Sequence, residues 1–162
     1  MPKWAEVYAW LTRHRGLVLV CLLLLAVDRA SKVWAFQALA VHGPIVFGPY
    51  FWLNYVENTG AAFGMFQHAN GLLVGVMLAV IGYIVWSWKD LVRNGRLAEW
   101  GGSLILAGAF GNLYDRLSLG FVVDFLDFRV WPVFNIADSC ITVGAVLVGL
   151  GFICYRPQQE GK

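Results

Sequence analysis

Two aspartates in this chain have no local charge partner. Asp124 lies in FVVDFL and Asp138 in FNIADS, with no Lys or Arg within four residues of either. A carboxylate in apolar surroundings is costly to ionise unless its pKa rises or it shares a proton with a second acid. Two carboxyls brought close together cannot both ionise. The ionised one can then activate a water while the protonated one polarises a carbonyl, which suits amide hydrolysis through a gem-diol. Asp138 also has a structural explanation, because an acid near a helix N-terminus is stabilised by the dipole and the free N–H groups. Asp124 has no such explanation, and an ionisable group at membrane depth is functional by default.

The other acids have partners in the sequence. Asp115 adjoins Arg116, which points to a structural pair. Asp127 and Arg129 are two apart, on one face of a strand, and are expected to form a solvated surface pair. Asp28 has Arg29 and Lys32 close by; a helix-end network and a role in orienting substrate remain equally open. Competing chemistries fit less well. His14, His42 and His68 have no metal-ligand spacing and there is no H-E-x-x-H, so no metal or other cofactor is implied. Ser31 is adjacent to Lys32 and faces elsewhere on a helix, so a Ser–Lys pair would need a tertiary contact. Cys21, Cys140 and Cys154 lie in apolar runs and read as small hydrophobes.

These residues sit on elements that composition identifies as membrane-embedded. The chain is 59% hydrophobic and 14% charged, against ~25% charged for soluble domains. Its mean hydropathy is +0.64, and a net charge of +2 gives no reason to expect nucleic acid. A spanning helix needs ~20 mostly apolar residues. Four stretches qualify, at 16–36, 70–88, 97–117 and 137–155, in a single membrane domain with external segments at 37–69 and 118–136. The first and third spans are long enough only if they include Asp28, Arg29 and Lys32, and Asp115 and Arg116. Those same charges separate the first apolar run from the signal-peptidase-like ALA at 38–40, so a retained span is expected rather than a cleaved leader.

Lys3, Arg13 and Arg15, then Lys89, Arg93 and Arg96, then Arg156 and Lys162 mark one side of the membrane. No Lys or Arg occurs from Val33 to Trp88, and Arg129 is alone between Ser118 and Ile136. Both termini are therefore expected in the cytoplasm. Span direction then brings Asp28, Asn112, Asp115, Arg116, Asn135, Asp138 and Ser139 to the outer ends of three helices, and flipping the topology does not separate them. Asn112, Asp115 and Arg116 stand at i, i+3 and i+4 on one helix face. Small residues at Ser103, Ala107 and Gly111, and at Ala145 and Gly149, suit close helix packing. The stretches 43–66 and 120–136 are rich in aromatics, β-branched residues, Gly and Pro. They are expected to pair as a small sheet with its aromatics at headgroup depth.

The stretches DRASK (28–32), YVENTGAAFGMF (55–66), GNLYDR (111–116), GFVVDF (120–125) and FNIADS (134–139), in that order, resemble the bacterial lipoprotein signal peptidases of type II. With the four spans, the resemblance covers nearly the whole chain. It implies a four-transmembrane-helix bundle with a small external β-cradle, in the bacterial inner membrane, with the active site on the external face. It further implies a metal-free aspartic endopeptidase, expected to be monomeric, that cleaves diacylglyceryl-modified prolipoproteins before the lipidated cysteine. Carried over, the catalytic dyad falls on Asp124 and Asp138. Asp28, Lys32, Asn58, Gly60, Asn112, Arg116 and Asn135 fall on positions that shape the site and hold substrate, Asp115 supports it, and membrane lipid is a further partner. The rival readings are a proton-coupled transporter and a non-catalytic assembly factor. A transporter would place its acids at the midplane between repeated halves, whereas an assembly factor would need no unpaired acid.

Overall fold

A computed structural model describes residues 3–60 and 69–154. Helix α1 (Lys3–His42) leads into strands β1 (Ile45–Val46) and β2 (Trp52–Asn58). Helices α2 (Asn70–Trp86), α3 (Trp88–Arg93) and α4 (Arg96–Ser118) follow, then β3 (Val122–Asp127) and α5 (Ile136–Cys154). The fold is mostly helical with one three-stranded antiparallel sheet, ordered β1-β2-β3. The expected pairing of the two aromatic segments is present, with Val56 opposite Asp124 and Asn58 opposite Val122.

Two boundaries differ from expectation. Residues 37–42, assigned to the first external segment, continue α1 to a length of 40 residues. The run ends at Gly43, whose φ of 85° is open to glycine without strain. The link after the second span also contains a helix of its own, α3, so the described residues hold five helices rather than four. Ser87 separates α2 from α3, and its hydroxyl bonds back to the Tyr83 carbonyl at 2.8 Å. By length and composition, α5 is the one helix among the described residues that could cross a membrane, with a hydropathy of 2.0; α2 is apolar but shorter.

Helices α4 and α5 pack at backbone distance. A Cβ added at Gly101 would lie 2.5 Å from the Gly144 carbonyl oxygen, and one at Gly144 would lie 2.6 Å from that of Gly101. Gly108 meets the Ala137 carbonyl and Gly151 meets Ala98. Ala145 and Gly149, the stripe expected on the last span, are exposed instead, and Gly149 has open space around it. The contact face is the neighbouring phase, Gly144 and Gly151, because small residues occur on both. Many large apolar side chains, Leu23, Leu72, Val85 and Ile153 among them, point outward.

The sheet is held against the end of α1. Ala35 and Leu39 bury against Val123 and Phe125, with Leu53, Tyr55 and Ile136 packed around them. After α4, Gly120 at φ 85° reverses the chain into β3. Phe134 then folds back on β3, its carbonyl accepting from the Phe125 and Leu126 N–H groups at 3.0 and 2.8 Å. That return sets the start of α5 beside Asp124.

Candidate active site

The three helix ends meet around Lys32, one turn after Asp28 on α1. Its ammonium is 1% exposed and lies 3.0 Å from Asp28 Oδ2, 2.9 Å from Asp115 Oδ2 and 2.9 Å from Asn112 Oδ1. All three of its donors are thus directed at Asp28, Asp115 and Asn112 rather than at a serine. Ser31 turns away, its hydroxyl donating to the Asp28 carbonyl at 2.9 Å.

The expected Asp115–Arg116 pair does not form. Asp115 Oδ1 accepts from Arg29 and Oδ2 from Lys32, both at 2.9 Å, and Oδ2 also receives the Val123 N–H at 3.3 Å. Neighbours one apart on a helix diverge by about 100°, so distant cations on α1 take the place of the adjacent one. Arg116 instead reaches outward. It donates to the Gly60 carbonyl at 2.6 Å and, more weakly, to Asn70 Oδ1 at 3.4 Å. Asn70, overlooked in the sequence, is tied to Arg116 in both directions, since its own amide donates to the Arg116 carbonyl at 3.1 Å. Its position at the first residue of α2 was the available signal.

Asp28 serves a second element as well. Its Oδ1 accepts the Ala137 N–H at 2.9 Å, across 109 residues, at the open first turn of α5. The same turn carries a reciprocal cap. The Asp138 N–H donates to Asn135 Oδ1 at 2.9 Å, and the Asn135 N–H donates to Asp138 Oδ2 at 3.2 Å. This is the capping-box arrangement with Asp in the usual Glu position. The structural explanation offered for Asp138 therefore holds, but it uses only one of the two carboxylate oxygens. The other, Oδ1, accepts from Asn112 Nδ2 at 2.7 Å.

Asp124 lies on β3 at 1% exposure. Asn58, diagonal to it on the same face of β2, donates to Oδ2 at 2.8 Å, and Asn135 donates to Oδ1 at 2.7 Å. The Asn58 amide is itself fixed by the Gly60 N–H, which donates to its Oδ1 at 3.0 Å. Burial, and then the neighbouring Asp138 charge, push the Asp124 carboxyl up to about 7 against the pull of the two amides. Asp124 and Asp138 open onto one cavity of about 670 Å³, walled by β2, α2, α4 and the turn 131–134.

Asp127, expected on the surface, is buried at 3% exposure. Its pairing with Arg129 stands, at 2.9 Å. The Arg129 N–H also closes a tight turn on Oδ1 at 2.8 Å, and the guanidinium lies over the Trp52 ring, 4.1 Å from its centroid. That local fit stabilises Arg129 at φ 63°. Burial opposes ionisation of Asp127, but the Arg129 contacts and the Asn54 amide outweigh it and hold the carboxyl below its usual range. Asn54 was not visible as a site-supporting residue because its partner lies on the other strand, at 3.4 Å. Of the motif YVENTGAAFGMF, residues 61–66 lie outside the described residues, as do the Arg156 and Lys162 used to orient the chain.

The ten residues that the resemblance assigns to the site thus belong to one connected polar cluster. The family model for signal peptidase (SPase) II matches residues 20–154. A lipoprotein signal peptidase of Pelotomaculum thermopropionicum is 42% identical over 82% of this chain and 88% of its own length. One of Moorella thermoacetica is 41% identical over 81% and 88%. Among solved structures, a bacterial membrane enzyme determined in meso at 1.9 Å resolution superposes with a TM-score of 0.74 and 25% identity, covering 87% of this chain and 94% of that one.

Proposed function

The chain belongs to the signal peptidase II family, a bacterial membrane peptidase that removes signal peptides from prolipoproteins, and we propose that Asp124 and Asp138 are its catalytic dyad. The observation that supports this most is their convergence. Two carboxyls from different elements, β3 and α5, open onto one cavity and are linked through the amides of Asn135 and Asn112. Family membership replaces the transporter and assembly-factor readings with hydrolysis, which requires a water, a base and an acid.

In this reading the ionised aspartate takes a proton from water as its oxygen attacks the scissile carbonyl carbon. The protonated aspartate gives its proton to the carbonyl oxygen, forming the gem-diol. Collapse breaks the C–N bond as the leaving nitrogen is protonated by the dyad. Arg116, Gly60 and Asn58 shape one wall of the cavity, and Asp28, Lys32 and Asp115 hold the three helix ends in register. The substrate is a precursor whose new N-terminal cysteine carries diacylglycerol, its acyl chains in the outer leaflet. The four apolar stretches form a transmembrane bundle, termini inside, that presents the dyad at that depth. Closing the cavity around substrate admits little water, which keeps one carboxyl protonated.

Purified protein should release the signal peptide from a diacylglyceryl-modified precursor, and chelators should not change the rate. Asp124→Asn and Asp138→Asn should each reduce kcat by ~10²–10⁴-fold or more. Substantial turnover by either variant would remove that residue from the dyad.

A further inference from the structure

The amides between the two aspartates are polarised in one direction, and Lys32 sets that direction. Asn112 Oδ1 accepts from Lys32 at 2.9 Å and from Asn135 Nδ2 at 3.1 Å. Both lone pairs of that oxygen are occupied, one of them by a buried cation. A flipped Asn112 amide would set its NH2 against an ammonium and a second NH2, so its donors must face Asp138, which they reach at 2.7 Å. A donor whose carbonyl end is polarised by a charge bonds more strongly, and strengthens most in a low-dielectric interior.

Asp124 lacks this link. Its donors, Asn58 and Asn135, have their oxygens held by neutral backbone N–H groups, those of Gly60 and Asp138. Asp138 also stands in the first turn of α5 and accepts the Asn135 N–H. It is half-buried towards the cavity, whereas Asp124 is 1% exposed. The remaining charges around Lys32 are committed elsewhere. Asp28 caps α5 at Ala137, Asp115 is shared with Arg29, Arg116 turns to Gly60 and Asn70, and Glu57 is exposed on the far wall of the cavity.

We propose that Lys32 is a positioning residue which, through Asn112, keeps Asp138 the ionised, water-activating member of the dyad and leaves the shared proton on Asp124. This deepens the dyad reading and rests on it. Lys32 does not touch substrate; it sets which end of the amide chain carries the negative charge.

The test is the pH profile of kcat/KM for cleavage of a diacylglyceryl-modified precursor by Lys32→Met, Asn112→Leu and the double variant. Each single change deprives ionised Asp138 of the charge-assisted donor, so the acid limb should move up by about one pH unit, a ~tenfold loss at fixed pH on that limb. KM should stay within about twofold, and the double variant should shift no further, because both changes break one chain. A limb that stays in place while the rate falls uniformly would reduce Lys32 to packing and overturn the proposal. Additive shifts would overturn it too. Lys32→Met strands two buried carboxylates and can fail to fold, which a melt in detergent would reveal. Asn112→Leu, which leaves Lys32 between Asp28 and Asp115, then decides alone. Asp138→Asn run in parallel separates the two levels: turnover there would sink the dyad itself, whereas an inactive Asp138→Asn with an unmoved limb in Asn112→Leu sinks only the role of Lys32.

Discussion

Asp124 pairs its proposed catalytic role with a stability penalty that can be measured. Its carboxyl is held at about 7 by burial and by Asp138, against an ordinary value of 3.8. A folded-state value above the unfolded one means that the fold favours the protonated form. The stability this contributes is complete below about pH 4 and is lost as pH rises through about 7. Each unit corresponds to about 1.4 kcal/mol, so roughly 4 kcal/mol is the ceiling. Asp124→Asn keeps the shape without the charge. It should melt above wild type at pH 8 and converge with it near pH 4 in thermal unfolding in micelles, while turnover collapses. Equal melting at both pH values would show that Asp124 is not held protonated by the fold. The special status of Asp124 was legible in the sequence because no cation lies near it. The partners of Asp115 and the burial of Asp127 were not. Arg29 and Lys32 reach Asp115 across more than eighty residues, and such a contact outcompetes an adjacent arginine without leaving a local signal.

At the scale of elements, the site depends on how closely α4 and α5 approach. Asn112 and Asp138 meet only because glycines below them let the two backbones touch. A methyl at Gly108 would collide with the Ala137 carbonyl, one residue before Asp138, and rigid backbone on both sides leaves little room to yield. Gly108→Ala should therefore destabilise by about 1–3 kcal/mol or more and reduce kcat more than KM. Gly149→Ala, with nothing within 4 Å, should do neither. Thermal melts and steady-state kinetics of the two variants, side by side, check this, and equal behaviour would mean that α4–α5 contact does not set the dyad. The sequence showed that small residues line the last helix, but not which phase faces inward, since Gly144, Ala145, Gly149 and Gly151 offer two. The strand pairing was more legible. Two aromatic, β-branched segments separated by helices had each other as the available partner, and Phe47, Phe51, Phe128 and Phe134 form a run of ring contacts at 5.6, 5.0 and 5.8 Å across them.

For the whole molecule, the argument turns on sidedness. A helix of 40 residues is ~60 Å long, twice a bilayer's ~30 Å hydrocarbon core, and α1 carries Lys32 and Ala35 up to the sheet. Helix α4 arrives at the same end, and α5 departs from it. The acids expected together at the ends of three helices do meet there. Which side of the membrane that end occupies depends on the basic link Lys89–Arg96, set against a sheet whose described residues carry one cation, Arg129. If the sheet is external, a cysteine at Tyr50, which is 74% exposed, should react with a membrane-impermeant maleimide on intact cells. A cysteine at Arg93, its side chain also 74% exposed, should react only after permeabilisation. Cys21, Cys140 and Cys154 would first be replaced by Ala or Ser, which their lack of disulfides allows. The opposite pattern would place the dyad on the cytoplasmic side, away from the outer leaflet in which the proposed precursor carries its lipid, and the proposed presentation of substrate would fail even if both aspartates proved essential.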